Sequence, residues 1–114
     1  MYNFPIGIMM HSLREDDKTA IESAAKMGVQ GLQFLGTYGE HSAEEMTKEK
    51  RKELMKMMDA NGLVFSAVCG DFGKGFWNPE TNAEYIEKSK RVIDMALDLG
   101  TNIVTTHIGA IPDD

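Results

Sequence analysis

Three times along the chain an amphipathic stretch ends in glycine and an apolar run follows: Lys26-Met-Gly28-Val-Gln-Gly-Leu-Gln-Phe34, Ala60-Asn-Gly62-Leu-Val-Phe-Ser-Ala-Val68 and Asp98-Leu-Gly100-Thr-Asn-Ile-Val-Thr-Thr106. The glycines stand 34 and 38 residues apart. A glycine just past a helix supplies the left-handed conformation that turns the chain into a strand, so the pattern reads as the joint of a repeating βα unit. Strands are expected near Ile6 to Met10, Gly31 to Leu35, Val64 to Cys69 and Asn102 to Thr106. They are short, apolar and partly β-branched, as strands covered on both faces are.

The helices between them are legible from their faces. After Asp16-Asp17, residues Ala20, Ile21, Ala24 and Ala25 share one side. A second helix is signalled more weakly: Ser42-Ala-Glu-Glu45 has the form of a capping box, and Lys48 to Lys52 is nearly all charge, a solvated face, before Leu54, Met55 and Met58. In the third, Asn78-Pro79 offers an N-cap and a first-turn proline. Tyr85, Ile86, Ser89, Val92, Ile93, Ala96 and Leu97 follow as one stripe. Four strands alternating with three helices imply right-handed crossovers and a parallel sheet in an α/β fold, with residues 1–114 as a single domain.

Composition narrows the function. Eighteen acidic and twelve basic residues give a net charge of -6, which offers nothing with which to grip a phosphate backbone or an anionic membrane. Nucleic acid and membrane are therefore not expected as partners. The single cysteine, Cys69, cannot form an internal disulfide, and with nine methionines the chain reads as cytoplasmic. No signal peptide or membrane span is evident.

In a parallel βα array ligands bind at the carboxyl ends of the strands. Strand one ends in His11-Ser12-Leu13-Arg14, and strand two carries Gln33. Strand three ends in Cys69-Gly70-Asp71-Phe72-Gly73, strand four in His107-Ile108-Gly109. His107 and His11 on one rim are the leading candidates for contact with a substrate, followed by Asp71, Gln33 and Trp77. His41, in a polar loop, reads as solvated, and Cys69 as a small buried hydrophobe. There is no Gly-x-Gly-x-x-Gly, Walker loop, Cys-x-x-Cys or His-Glu-x-x-His. Two histidines do not make a metal site.

The segments Ile6-Gly-Ile-Met-Met-His-Ser-Leu-Arg14, Gly28-Val-Gln-Gly-Leu-Gln-Phe34 and Ala96-Leu-Asp-Leu-Gly-Thr-Asn-Ile-Val-Thr-Thr-His-Ile-Gly109 resemble the first half of the xylose isomerase-like TIM barrels. The resemblance implies half of a (β/α)8 barrel, since a whole one needs about 250 residues. It also implies the N-terminal portion of a metal-dependent sugar or sugar-phosphate isomerase or epimerase, working by proton transfer next to a carbonyl on a sugar or keto-sugar. In that branch a divalent metal (Mn, Mg, Zn or Co) is held by Glu, Asp, His and Glu on strands five to eight. None of these positions falls in the chain, so no metal is expected on these residues alone, no catalytic residue is assigned, and the isolated chain is expected to be inactive. His107 matches the strand-four His-x-Gly position, which in relatives faces substrate or, in the DNA-repair branch, metal. His11 stands where relatives often carry an aromatic residue, and Gln33 where many carry glutamate. The repair branch has a histidine after strand three, where this chain reads Cys69-Gly70-Asp71. The alternative is a non-catalytic half-barrel that binds a ligand or itself. A four-stranded parallel sheet with open edges is a poor monomer, so a homo-oligomer is expected without a choice of geometry.

Overall fold

The computed structural model describes residues 3–111. Strands β1 (Gly7–Met9), β2 (Gly31–Leu35), β3 (Val64–Cys69) and β4 (Val104–Thr105) form one sheet in the order β1-β2-β3-β4, with every neighbouring pair parallel. Helices α1 (Asp17–Met27), α2 (Lys48–Ala60) and α3 (Asn82–Asp98) are the crossovers. Gly28, Gly62 and Gly100 all have positive φ, 80°, 68° and 78°, as the three joints require. No helix among the described residues is long and apolar enough to cross a membrane.

The core lies between the sheet and the helices. Leu32 and Phe34 of β2 and Phe65 and Val68 of β3 meet Ile21 and Ala24 of α1, Leu54 and Met58 of α2, Val92 and Met95 of α3, and Leu99 just past it, all 3% exposed or less. The period of two then turns Gln33 and Val64 to the opposite face, which carries no helix.

Each end of the sheet is shorter than the residue pattern implies. Met10, expected in the first strand, drops into a 3-10 turn (Met10–Leu13) and is buried there. That turn closes on the Arg14 N–H, which donates to the His11 carbonyl at 3.2 Å with Arg14 at φ 54°. At β4 the Thr101 hydroxyl donates to the Ser66 carbonyl (3.1 Å) and accepts the Ile103 N–H (3.2 Å), so side-chain bonds join the backbone bond from Val68 N–H to the Ile103 carbonyl (3.0 Å) in holding the chain before Val104.

Helix starts differ as well. Ser42 Oγ does accept the Glu45 N–H (3.3 Å), but it closes a single turn, and the helix begins at Lys48 capped by Thr47 Oγ1. Asn78-Pro79 likewise makes an isolated turn, with Asn78 Oδ1 accepting from Glu80 N–H (2.9 Å), and α3 starts at Asn82. The buried seam of α3 is Val92, Met95 and Ala96, continued by Leu99 at its C-cap, while Ile86, Ile93 and Leu97 lie beside it 41%, 47% and 62% exposed. Within the charged run of α2, Arg51 is not a solvated residue. Its guanidinium donates to the Met46 and Ala43 carbonyls (2.8 and 3.0 Å) and to Asp98 Oδ2 (2.8 Å), tying α2 to α3.

Candidate functional site

At the carboxyl ends of β3 and β4, His107 Nδ1 lies 2.7 Å from Asp71 Oδ2. Both residues are two positions past their strands, and Val68↔Val104 and Cys69↔Thr105 keep those strands in step. The loop after β3 fixes the carboxylate from behind. Gly73 N–H donates to Asp71 Oδ1 (2.9 Å), and the buried Thr37 hydroxyl, after β2, donates to the Asp71 carbonyl (3.0 Å). Donation by Gly73, and then by His107, holds the Asp71 carboxyl below the usual aspartate range.

An ionised Asp71 accepts from Nδ1–H, so the tautomer is set and Nε2 is left free of that contact. The His107 side chain is 78% exposed and that of Asp71 25%, so the imidazole projects into the open while its partner is held at the wall. In front of them Asp71, Gly73, Gly75, His107, Gly109 and Ala110 line a cleft of about 350 Å³. Gly75 and Gly109 are required here: a Cβ on Gly75 would collide with the Ile108 carbonyl, and one on Gly109 would lie 2.6 Å from Trp77 Cδ1. The loop after β3 thus lies directly on the segment after β4, pinned by Phe76 N–H to the Ile108 carbonyl (3.0 Å).

Gln33 joins the same face. Its Nε2 donates to Thr105 Oγ1 at 3.0 Å, spanning from β2 to β4 across β3, where the small Ala67 is its register partner. Trp77 packs against Gly109, outside the cleft's lining, and is 70% exposed. His11 is on the same end of the sheet but at the other edge, in a recess with Glu15, Asp17, Phe34, Leu35 and His41. Three strand spacings, about 14 Å along a flat sheet, separate it from His107. The structure therefore brings together His107, Asp71 and, one layer below, Gln33, and leaves His11 and Trp77 apart.

His41 is not a solvated loop residue. Its Nε2 is 2.8 Å from Asp17 Oδ1, and its ring leans on Phe34 with centroids 4.8 Å apart. The Asp17 hydrogen bond raises the His41 pKa above its ordinary value against the opposing effect of burial. Thr37, Thr105 and Gly73, which hold the candidate site, carried no motif; a polar residue just past an apolar strand is the one signal that marks Thr37. Cys69 is half-buried at the end of β3.

Among the described residues no three His, Cys, Asp or Glu side chains gather around a common point. These residues do not fit a divalent ion by themselves: His107 and Asp71 offer two side-chain donors where a protein site supplies three or four. What the arrangement can do is present one oriented imidazole, with Gln33 nearby, to a polar ligand.

No curated protein sequence matches the chain. Among solved structures, the crystal structure of a xylose isomerase domain protein from Planctomyces limnophilus superimposes with a TM-score of 0.74 at 21% identity, covering 96% of this chain. The chain spans 43% of the length of that protein. The likeness gives the fold: four parallel strands and three helices equivalent to part of a TIM barrel. Residues 21–114 match the family model described as xylose isomerase-like TIM barrel, and the chain belongs to that family.

Proposed function

We propose that the chain is the N-terminal portion of a metal-dependent sugar or sugar-phosphate isomerase or epimerase, acting by proton transfer next to a carbonyl. The observation that carries this reading is the Asp71–His107 pair at the rim where a parallel barrel binds its ligand. The family supplies the class of chemistry, and the net charge of -6 weighs against a nucleic-acid substrate.

The residues of this chain act as the binding wall. With Nδ1–H held by Asp71, His107 Nε2 accepts a sugar hydroxyl when neutral and donates to a carbonyl oxygen when protonated. Gln33 donates to Thr105, which leaves its own carbonyl oxygen to accept a second hydroxyl. His11, in its own recess at the other edge of the sheet, and Trp77, packed on Gly109, stand outside this wall. A divalent ion belongs to the proposal through the family; because the described residues do not fit one, no step is assigned to it here. The second reading is a non-catalytic half-barrel, favoured by the bare face opposite the helices.

NMR titration of the purified chain with a panel of ketoses, aldoses and their phosphates tests the proposal. Perturbation of the His107 ring signals by a sugar at about 10 mM or below, lost in Asp71→Asn and not reproduced by inorganic phosphate, is the expected result. Silence at His107 across the panel overturns it. Binding with no solvent deuterium incorporated beside the carbonyl, with or without Mn2+, is expected for the chain alone.

A further inference from the structure

The cleft in front of the Asp71–His107 pair is lined by one permanently charged side chain, and that charge is negative. Among the residues that line it, none is Lys or Arg. The Gly73 N–H and then His107 hold the Asp71 carboxyl below the usual aspartate range, so it is ionised at neutral pH. The cations of α3 nearby are engaged elsewhere. Lys88 Nζ is 3.0 Å from Glu84 Oε1 and lies over the Phe72 and Tyr85 rings, and Arg91 Nη1 is 3.0 Å from Glu44 Oε1. Lys74, exposed between Gly73 and Gly75, is outside the lining.

The hydrogen-bonding sense agrees with the charge. With Nδ1–H given to Asp71, the neutral His107 ring offers Nε2 as an acceptor, and Gln33, whose Nε2 donates to Thr105, offers its carbonyl oxygen. These side chains ask a ligand for protons. A hydroxyl has one to give, and a phosphate monoester at about pH 8 is a dianion with none. Backbone N–H groups of the glycine loops serve a hydroxyl and a phosphate alike, so the side chains decide.

We propose that this cleft takes an uncharged, hydroxyl-bearing stretch of the substrate and turns away phosphate, so that a phosphorylated substrate is held only with its phosphate outside the cleft. The proposal rests on the sugar-binding reading above and goes beyond it by choosing between sugar and sugar phosphate at this site. The walls are built to stay free of added cations. Gly73, Gly75 and Gly109 have φ of 81°, 66° and 118°, a conformation in which Lys or Arg is strained. At about 350 Å³ the cleft is at the small end of ligand sites, which suits a few hydroxylated carbons.

NMR titration of the chain at about pH 8 and low salt with D-fructose, D-xylulose, fructose bisphosphate and inorganic phosphate tests this, read at the His107 ring and the Gly75, Gly109 and Ala110 amides. Two charges about 6 Å from an ionised Asp71 in a water-like dielectric are worth a factor of about 10, so the bisphosphate should bind at least that much more weakly than D-fructose. In Asp71→Asn that ratio should fall to about 1, and raising the salt to about 0.5 M should narrow it in the wild type. Equal or tighter binding of the bisphosphate, saturable shifts of these amides by inorganic phosphate, or a ratio unchanged in Asp71→Asn overturns the proposal. Tighter phosphate binding that is lost in Lys74→Ala overturns it in favour of an anion site on the loop. If inorganic phosphate registers at these amides while both ketoses are silent, the phosphate exclusion itself is wrong. If all four probes are silent, the sugar reading has failed and this proposal falls with it.

Discussion

Two histidine–aspartate pairs of nearly identical length stand at the same end of the sheet and do different work. His41–Asp17 measures 2.8 Å and His107–Asp71 2.7 Å. The His41 side chain is 25% exposed, its ring on Phe34, and Asp17 belongs to the first turn of α1; the pair clips the loop after β2 to that helix. The His107 side chain is 78% exposed, and its aspartate, not its ring, is the anchored member. Contact chemistry alone does not tell a structural pair from a ligand-facing one. What distinguishes them is which partner is packed: a packed ring makes a clip, a packed carboxylate with a free ring makes an oriented probe.

The comparison breaks hardest at Phe34, which is 1% exposed and touches both His41 and Phe65 (ring centroids 5.5 Å). Phe34→Ala is expected to cost about 3–5 kcal/mol in urea unfolding, and any folded fraction should keep its His107 signals. Loss of both histidine environments together would mean the two pairs are not independent.

Next in size is Asp71→Asn. Removing the charged acceptor should weaken ligand binding roughly 10-fold, about 1.5 kcal/mol, while unfolding free energy moves by no more than about 0.5 kcal/mol. A large stability loss without a binding change would make this pair a second clip.

His41→Gln should cost about 1 kcal/mol and leave ligand binding alone. Its cost should also depend on pH. A folded-state His41 pKa above the unfolded value means the pair's contribution is complete below the unfolded pKa, ordinarily 6.5, and is lost as pH rises through the folded one. Thermal melts from about pH 6 to about pH 9 should show wild type and variant converging. A gap that widens with pH would reverse the assignment.

The smallest effect sharpens the other side. The Asp71 carboxyl is lowered first by the Gly73 N–H and only then by His107, and its contribution to stability is lost as pH falls through the folded pKa. In His107→Ala the Asp71 titration followed by carbon-13 NMR should rise yet stay below the ordinary 3.8. A full return to the ordinary value would show the loop contributes nothing.

Much of this architecture was legible along the chain. The three glycine joints, β2 at Gly31–Leu35, β3 at Val64–Cys69 and the cap Asp16, whose Oδ1 accepts the Thr19 N–H at 2.9 Å, follow from local pattern because their causes are local. His107 and Asp71 were marked as rim candidates by lying just past apolar runs. Their pairing was not, since it depends on the register of β3 against β4.

What the sequence by itself determined is the βα repeat, because hydrophobic period and left-handed glycines act over a few residues. Tertiary structure decided the rest: which of two adjacent stripes of α3 is buried, why Arg51 leaves the solvated run, and which histidine is packed. Those outcomes are set by neighbours tens of residues away, such as Asp98 for Arg51 and Asp17 for His41. An amphipathic pattern states that a face will be covered, and only the packed layers determine what covers it.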